Sequence, residues 1–374
     1  MFCPLLEKGC GGCSDIDKMY GETLKVKDER LHKLFPHAEK MLGCEMPLRY
    51  RNKVIRTFAD GKETLYSGIY KAGTHQVLSV RSCCLEDERL NEIAFKVTRM
   101  LADRGYKAYR EDFKRGQLRH MILRRAPFSS QVLLTLVVGT ENVEGLDQFA
   151  ADVMKRFPDV KGVILNCNDR ENSAVLGFKD TLLRGKNEIW DQLCGLNVCL
   201  NGRTFYQVNA PQAQRLYSLA IEQAELTQND SVLDAYCGVG VIGMLAAAKA
   251  GRVTGIEIVK DSVLCAEKAK QRNQISNIRF IQGDVMKALR DETEHYSCVF
   301  LDPPRAGLSP DFAEALISHS PEKIVYISCN PETLKRDADK LMQNGYRAEF
   351  VRGVDMFPFT EHVETITLMS KINK

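Results

Sequence analysis

Val232-Leu233-Asp234-Ala235-Tyr236-Cys237-Gly238-Val239-Gly240 is an apolar run that ends on a carboxylate and breaks at once into a glycine turn. The glycines stand where the chain must turn tightly and let a ligand approach the backbone. A helix is expected from Ile242 to Ala250, with Gly251 suited to its C-terminal stop. The pattern repeats outward from here. Short apolar runs recur at residues 231–233, 253–256, 278–281, 298–301 and 324–327, with helical spacing between most of them. Such alternation predicts an α/β fold, a parallel sheet covered by helices on both faces, whose ligand crevice lies beyond the carboxyl ends of the strands. Asp234, Glu257, Asp284, Asp302 and Cys329 follow the five runs in turn, so one crevice is expected to collect acidic side chains and a thiol.

The 374 residues ask for two or three domains at about 100 to 200 residues each. Residues 1–44 open with clustered cysteines and continue with helical spacing over 15–35. Residues 45–200 mix strand-like stretches (50–58, 65–70, 132–138) with helices (90–103, 146–156) and read as an α+β domain. Residues 201–374 form the α/β domain. A net charge of +3 with 44% hydrophobic and 27% charged residues excludes a disordered tail and a histone-like polycation. The 13 cysteines are too sparse for a disulfide scaffold and odd in number, which favours reduced thiols, a metal site or a catalytic thiol. The N-terminus lacks a basic flank before an apolar core, and the run 132–138 falls far short of the about 18 residues a membrane helix needs. A soluble, monomeric, cytoplasmic protein is expected.

Glu257 follows the glycine turn by about 20 residues, the spacing at which a carboxylate accepts hydrogen bonds from ribose hydroxyls. Gly238, Gly240 and Gly243 formally satisfy the G-x-G-x-x-G of dinucleotide sites. Asp234 and Tyr236 in the turn, however, suit a cofactor with a positive centre better than a pyrophosphate. S-adenosylmethionine, with an ammonium and a sulfonium, is favoured over a dinucleotide by these residues. A glycine turn that only packs a helix is disfavoured because acidic residues recur at later strand ends.

Cys329 lies in Ser328-Cys329-Asn330-Pro331, and Asp302 in Asp302-Pro303-Pro304-Arg305. Most thiols behave as small buried hydrophobes. Cys329 differs because a helix beginning at Pro331 and Glu332 would offer it N–H groups and a dipole that favour a thiolate. Glu364 starts the last apolar strand, 366–369; if that strand runs antiparallel beside the sheet, Glu364 faces the same crevice as Cys329. The plain alternative is a solvated carboxylate at a strand entrance. A thiol, a carboxylate and a methyl donor together suit methylation of uracil carbon 5. Thiolate addition to carbon 6 makes carbon 5 nucleophilic, and a base must then remove its proton.

At this point the chain resembles the bacterial RNA uracil-5-methyltransferases. The resemblance rests on Phe205-Tyr206-Gln207-Val208-Asn209, Asp234-Ala235-Tyr236-Cys237-Gly238, Asp302-Pro303-Pro304-Arg305, Ser328-Cys329-Asn330-Pro331 and Asp355-Met356-Phe357-Pro358 with Glu364, in the family's order. It implies a Rossmann-like methyltransferase domain. Gln207, Tyr236, Glu257, Asp284 and Asp302 would contact S-adenosylmethionine, Cys329 would be the nucleophile, Glu364 the base and Arg305 a substrate contact. Cys3, Cys10 and Cys13, spaced C-x6-C-x2-C, with Cys83 as a distant fourth, are similar to the family's iron–sulfur ligands and imply a [4Fe-4S] cluster of structural or RNA-positioning role. Spacing alone also admits a four-cysteine zinc site, and Cys84 adjoins Cys83 as a competing ligand. The cysteine set resembles the branch that modifies 23S ribosomal RNA. With Cys3 so near the start, the short form without an N-terminal β-barrel is expected.

Local basic stretches, Arg49-Tyr50-Arg51-Asn52-Lys53 with Arg56, and Lys114-Arg115 with Arg119, His120, Arg124 and Arg125, offer phosphate contacts and stacking surfaces, or simply solvated strand faces. The expected partner is an unpaired loop uridine of 23S ribosomal RNA, turned out of its stack. Transfer RNA is the alternative substrate. A DNA cytosine-5 enzyme is rejected because Glu141-Asn142-Val143 precedes the glycine turn and no Pro-Cys-Gln follows it. An RNA cytosine enzyme would carry Pro-Cys where Pro303-Pro304 stands. A non-catalytic iron–sulfur RNA-binding protein would lack the thiol or the base, and both are present.

Overall fold

The computed structural model describes residues 3–62, 64–140, 143–170, 174–291 and 294–372; Glu141 and Asn142 lie outside the described residues. In chain order the elements are α1 (Tyr20–Leu34), β1 (Glu39–Leu42), β2 (Lys53–Asp60), β3 (Leu65–Tyr70), β4 (Val77–Ser79), α2 (Glu88–Ala102), β5 (Leu118–Arg125), β6 (Val132–Val138), α3 (Leu146–Arg156), β7 (Val160–Cys167), β8 (Lys179–Gly185), β9 (Glu188–Leu193) and β10 (Leu196–Asn201). The remainder are α4 (Ala210–Ala224), β11 (Ser231–Ala235), α5 (Val241–Ala247), β12 (Arg252–Glu257), α6 (Lys260–Arg272), β13 (Ile278–Gln282), α7 (Val285–Asp291), β14 (Cys298–Leu301), α8 (Pro310–His319), β15 (Lys323–Ser328), α9 (Pro331–Gln343), β16 (Tyr346–Val354) and β17 (Glu364–Lys371). Helix α5 stops before the expected Ala250.

These elements divide into two units, one of Met1–Asp17 with Met46–Asp191, the other of Lys18–Glu45 with Gln192–Lys374. The expected segment 1–44 is therefore split, and the expected boundary at 200 falls after Asp191. The split follows from burial. Leu31 of α1 and Phe35, its C-terminal cap, join the core that also holds Phe312, Leu334 and Ala338, and β1 pairs parallel with β16. Lys27 of α1 is buried and donates to Asp355 Oδ1 at 2.7 Å and to the Phe357 carbonyl at 2.9 Å. A helix that carries half of a buried ion pair belongs with its counter-ion.

The sheet of the second unit has the order β1-β16-β17-β15-β14-β11-β12-β13. Strands β11 to β15 are parallel neighbours, and β17 runs antiparallel between β15 and β16. Strand β11 is buried along its whole length, which is why it reads as a continuous apolar run rather than an alternating one. It pairs with β12 on one side and β14 on the other, so the winding reverses there and a crevice opens at the strand ends. Helices α1, α7, α8 and α9 pack on the face that carries Leu233 and Ala235, and α5 on the opposite one, toward which Asp234 points.

The first unit is a sheet of order β4-β3-β2-β5-β6-β7-β8, antiparallel except for β6 and β7, which α3 connects. Leu90, Ile93 and Val97 of α2 and Phe149 and Val153 of α3 share one core with Val54, Phe58, Leu123 and Leu134, so both helices cover the same face. This is the expected α+β domain.

Candidate active site

The turn after β11 is built by backbone conformations that most residues avoid. Tyr236 lies at φ 63°, Gly238 at 53° and Gly240 at 80°. A Cβ on Gly240 would come within 2.4 Å of the Phe280 ring, so this position excludes side chains twice over. Asp234, 1% exposed, accepts a 2.7 Å hydrogen bond from the Gly243 N–H. It therefore clamps the first turn of α5 instead of lining the crevice, and it fills the helix terminus that a dinucleotide pyrophosphate would need. Burial, opposed by the Gly243 bond and reinforced by Asp302 and Glu257, raises its carboxyl to about 8.

The other strand ends hold their carboxylates in place through backbone N–H groups. Glu257 accepts from Gly238 (3.1 Å) and Val259 (2.8 Å), and Asp284 from Met286 (2.8 Å) and Lys287 (3.3 Å). Both Glu257 oxygens and Asp284 Oδ2 keep capacity for a further donor. Phe205, Tyr206, Tyr217, Tyr236, Gly238 and Asp302 line one pocket above β11. Tyr236 packs against Phe312 with ring centroids 5.8 Å apart. Gln207 is buried and hydrogen-bonds the buried Tyr217 hydroxyl, whose titration is pushed far up by burial and then by Asp302 and Glu364. Tyr217 escaped the sequence reading because it sits in the apolar stripe of α4, where an aromatic side chain signals only core packing.

Strand β15 delivers the thiol and β17 the carboxylate. Ser328 pairs with Thr365 in the antiparallel register, so the next residues along, Cys329 and Glu364, meet at the same end of the sheet. Glu364 is buried, and burial together with Asp302 raises its carboxyl well above the usual range. Asp302 is itself raised to about 7 by burial. Cys329 departs from expectation in its protonation. Burial, then Glu364 and Asp302, push its thiol up to about 11, and the Arg305 guanidinium lowers it only partly. Burial, with the acidic neighbours behind it, outweighs the Arg305 charge and the backbone N–H and favours the thiol over the thiolate. The backbone of exposed Arg305 is tied to α9, its carbonyl accepting from Thr333 Oγ1 at 3.3 Å. Asp355, quoted only as part of a motif, is structural: besides Lys27 it accepts from the Tyr20 hydroxyl at 2.9 Å.

In the first unit all described cysteines are free thiols. Cys10, Cys13 and Cys84 each lie within electrostatic reach of Cys3 and Cys83. The Cys84 thiol donates to the Cys83 sulfur, which lowers Cys83 to about 6, whereas burial and its neighbours raise Cys13 to about 12. Asn91 holds the Cys83 backbone from both sides, accepting from its N–H at 2.9 Å and donating to its carbonyl at 3.0 Å. Among the described residues no three Cys, His, Asp or Glu side chains are already disposed around a common metal position.

Most of the basic stretch turns inward. Arg56 is fully buried in a bidentate pair with Glu86, Arg119 donates to the Asn168 and Arg170 carbonyls (2.7 and 2.9 Å), Arg124 is buried, and Arg125 pairs with Asp87 at 2.6 Å. Arg51 donates to the Gly12 carbonyl at 2.9 Å. These residues are neither solvated strand faces nor free phosphate contacts.

A family model described as tRNA (Uracil-5-)-methyltransferase matches residues 20–372. An uncharacterized RNA methyltransferase of Caldanaerobacter subterraneus is 36% identical over 377 residues, covering 97% of this chain and 82% of its own length. Another, of Oceanobacillus iheyensis, is 34% identical over 375 residues with the same coverage of both chains. The crystal structure of Pyrococcus abyssi tRNA (uracil-54, C5)-methyltransferase in complex with S-adenosyl-L-homocysteine has a TM-score of 0.80 at 22% identity, covering 96% of this chain and 86% of that one, a likeness of fold. No helix among the described residues is long and apolar enough to cross a membrane.

Proposed function

Because the chain belongs to the tRNA (uracil-5-)-methyltransferase family of S-adenosylmethionine-dependent RNA methyltransferases, we propose that it methylates carbon 5 of a uridine in 23S ribosomal RNA, with Cys329 as covalent nucleophile and Glu364 as base. The observation that carries this reading is the β15–β17 register, which brings a thiol and a buried carboxylate together at the strand ends. The strand-end residues fit the methyl donor: in the pocket Asp302 suits a cationic centre and Tyr236 with Phe205 flat apolar surface, and Glu257 at the end of β12 suits ribose hydroxyls. Gln207 and Asp284 complete the proposed contacts. S-adenosylmethionine, when bound there, supplies an electrophilic methyl group.

The chain's own groups account for the remaining steps. Cys329 starts as a thiol, so its proton must pass to a neighbouring acceptor before Sγ bonds to carbon 6. The electron pair of the carbon 5–carbon 6 double bond moves toward the carbonyl at carbon 4, and carbon 5 takes the methyl group. Glu364, ionised, accepts the carbon-5 proton; the double bond re-forms and the thiolate leaves. A positive charge beside Asp302 and Glu364 favours their ionised forms, which readies the base. Arg305, exposed beside the thiol, is the proposed RNA contact.

Cys3, Cys10, Cys13 and Cys83 are proposed to hold a [4Fe-4S] cluster of structural or RNA-positioning role. The support is a donor set of mutually close, unpaired thiols, and the resemblance to the 23S ribosomal branch rests on the same residues. A transfer-RNA uridine is the second reading, favoured by the names of the matched family and of the Pyrococcus neighbour. We place the enzyme in the cytoplasm as a monomer. Incubation with labelled methyl donor and unmodified ribosomal or transfer RNA, followed by mass-spectrometric mapping, tests the assignment. Methyl groups on cytosine or ribose reject the chemistry, and methylation of transfer RNA alone rejects the ribosomal target. Cys329→Ala should abolish the covalent RNA adduct, and Glu364→Gln should trap it; an adduct that persists in Cys329→Ala removes Cys329 from its role.

A further inference from the structure

The first unit holds a half-open cleft of about 480 Å³ formed by β2, the β3–β4 turn, β5 and the segment before it. Its volume lies within the range of about 300 to 1,000 Å³ typical of small-ligand sites. Its lining is unusual for an idle surface. Tyr70 is 41% exposed, with the exposed His75 edge-on to it at 5.9 Å between ring centroids. Arg119, anchored by backbone carbonyls, lies 5.5 Å from the Tyr109 ring centroid, and the exposed Arg110 guanidinium lies 4.7 Å from that of Phe113.

The floor combines a neutral imidazole with a carboxylate. His120 is buried, its Nδ1 is 3.2 Å from Thr57 Oγ1, and burial with Arg119 lowers it to about 4, so it is a neutral imidazole at physiological pH. Asp60 accepts from the Ala108 N–H at 3.1 Å through one oxygen, and its second oxygen remains an acceptor suited to an exocyclic amino group. Aromatic faces, the exposed Arg110 guanidinium and a polar floor are the components of a site for single-stranded nucleic acid, in which bases stack on rings and a cation meets the backbone.

We propose that this cleft binds one unpaired nucleotide of the RNA substrate, other than the reacting uridine, with its base stacked on Tyr70 and its phosphate against Arg110. The inference rests on the proposed RNA methylation, since that reading supplies the strand. It concerns RNA recognition in the first unit, whereas the methyl-transfer groups lie in the second.

The test is fluorescence anisotropy of fluorescein-labelled single-stranded oligo(U) and oligo(A) with the full chain, alongside methyl-transfer kinetics. Tyr70→Ala should weaken binding about 5- to 150-fold, the cost of losing one stacked base, and raise KM for RNA without changing S-adenosylhomocysteine affinity. Tyr70→Phe should retain binding. Arg110→Ala should reduce the slope of log affinity against log salt by about 0.7 to 1, one phosphate contact. Both side chains are exposed, so circular dichroism should be unchanged. Wild-type oligonucleotide affinity and KM in folded Tyr70→Ala and Arg110→Ala proteins would overturn the proposal, as would equal losses in Tyr70→Phe and Tyr70→Ala. If the wild type methylates no RNA yet Tyr70→Ala loses oligonucleotide binding, the proposed function falls and the cleft stands.

Discussion

Alkylation of Cys329 by iodoacetamide should be slow at neutral pH and should climb steeply above it. Burial, Glu364 and Asp302 push the thiol up to about 11, against a partial opposing effect of Arg305. A thiol titrating there is about one part in 10⁴ thiolate at pH 7 and about one part in 10² at pH 9, and only the thiolate reacts. The rate at this residue should therefore rise about tenfold per pH unit between 7 and 10. Glu364→Gln removes the larger of the two negative neighbours, so the titration should move down and the rate near pH 9 should increase, tenfold for each unit moved. Arg305→Ala should do the reverse. Because the chain has 13 cysteines, the rate must be read for the Cys329 peptide by mass spectrometry. A rate already level by pH 8, or slower alkylation in Glu364→Gln, would refute the argument that burial and the acidic neighbours together hold Cys329 as a thiol.

Lys27→Met leaves Asp355 buried without its cation and should cost about 3 to 5 kcal/mol in chemical denaturation, within the range for breaking one side of a buried pair. Gly240→Ala forces a Cβ into the Phe280 ring at φ 80° and should lower thermal stability together with S-adenosylhomocysteine affinity by calorimetry. Asp234 (about 8) and Asp302 (about 7) are acids raised by burial, so between about pH 4 and 8 the folded chain holds protons that the unfolded chain has lost. Their contribution to stability is complete below about pH 4 and declines as pH rises through that window. Asp234→Asn should flatten the decline in urea melts at successive pH values.

The strand-end motifs were legible because the information is local. A parallel strand buried on both faces must be an apolar run and the chain must turn sharply after it, so β11, β14 and β15 could be read one by one, with β12 and the edge strand β13 following from the same alternation. The position of Glu364 hung on an antiparallel last strand, which the hydrophobic pattern could state but not decide and which the β15–β17 pairing supplies. Arg56, Arg119 and Arg124 were misread for the opposite reason. An arginine's letter does not say whether its guanidinium finds water or, like Arg56, a buried carboxylate at Glu86, thirty residues away.

The sequence by itself determined the methyltransferase-like alternation, the order of its strand-end residues and the glycine turn, since each follows from neighbours a few positions apart. Only the tertiary structure decided that α1 and β1 join the C-terminal sheet, that Asp234 clamps α5, and that burial and acidic neighbours favour the Cys329 thiol. Each of these depends on which distant groups share a low-dielectric space, and burial and charge act through that space rather than along the chain.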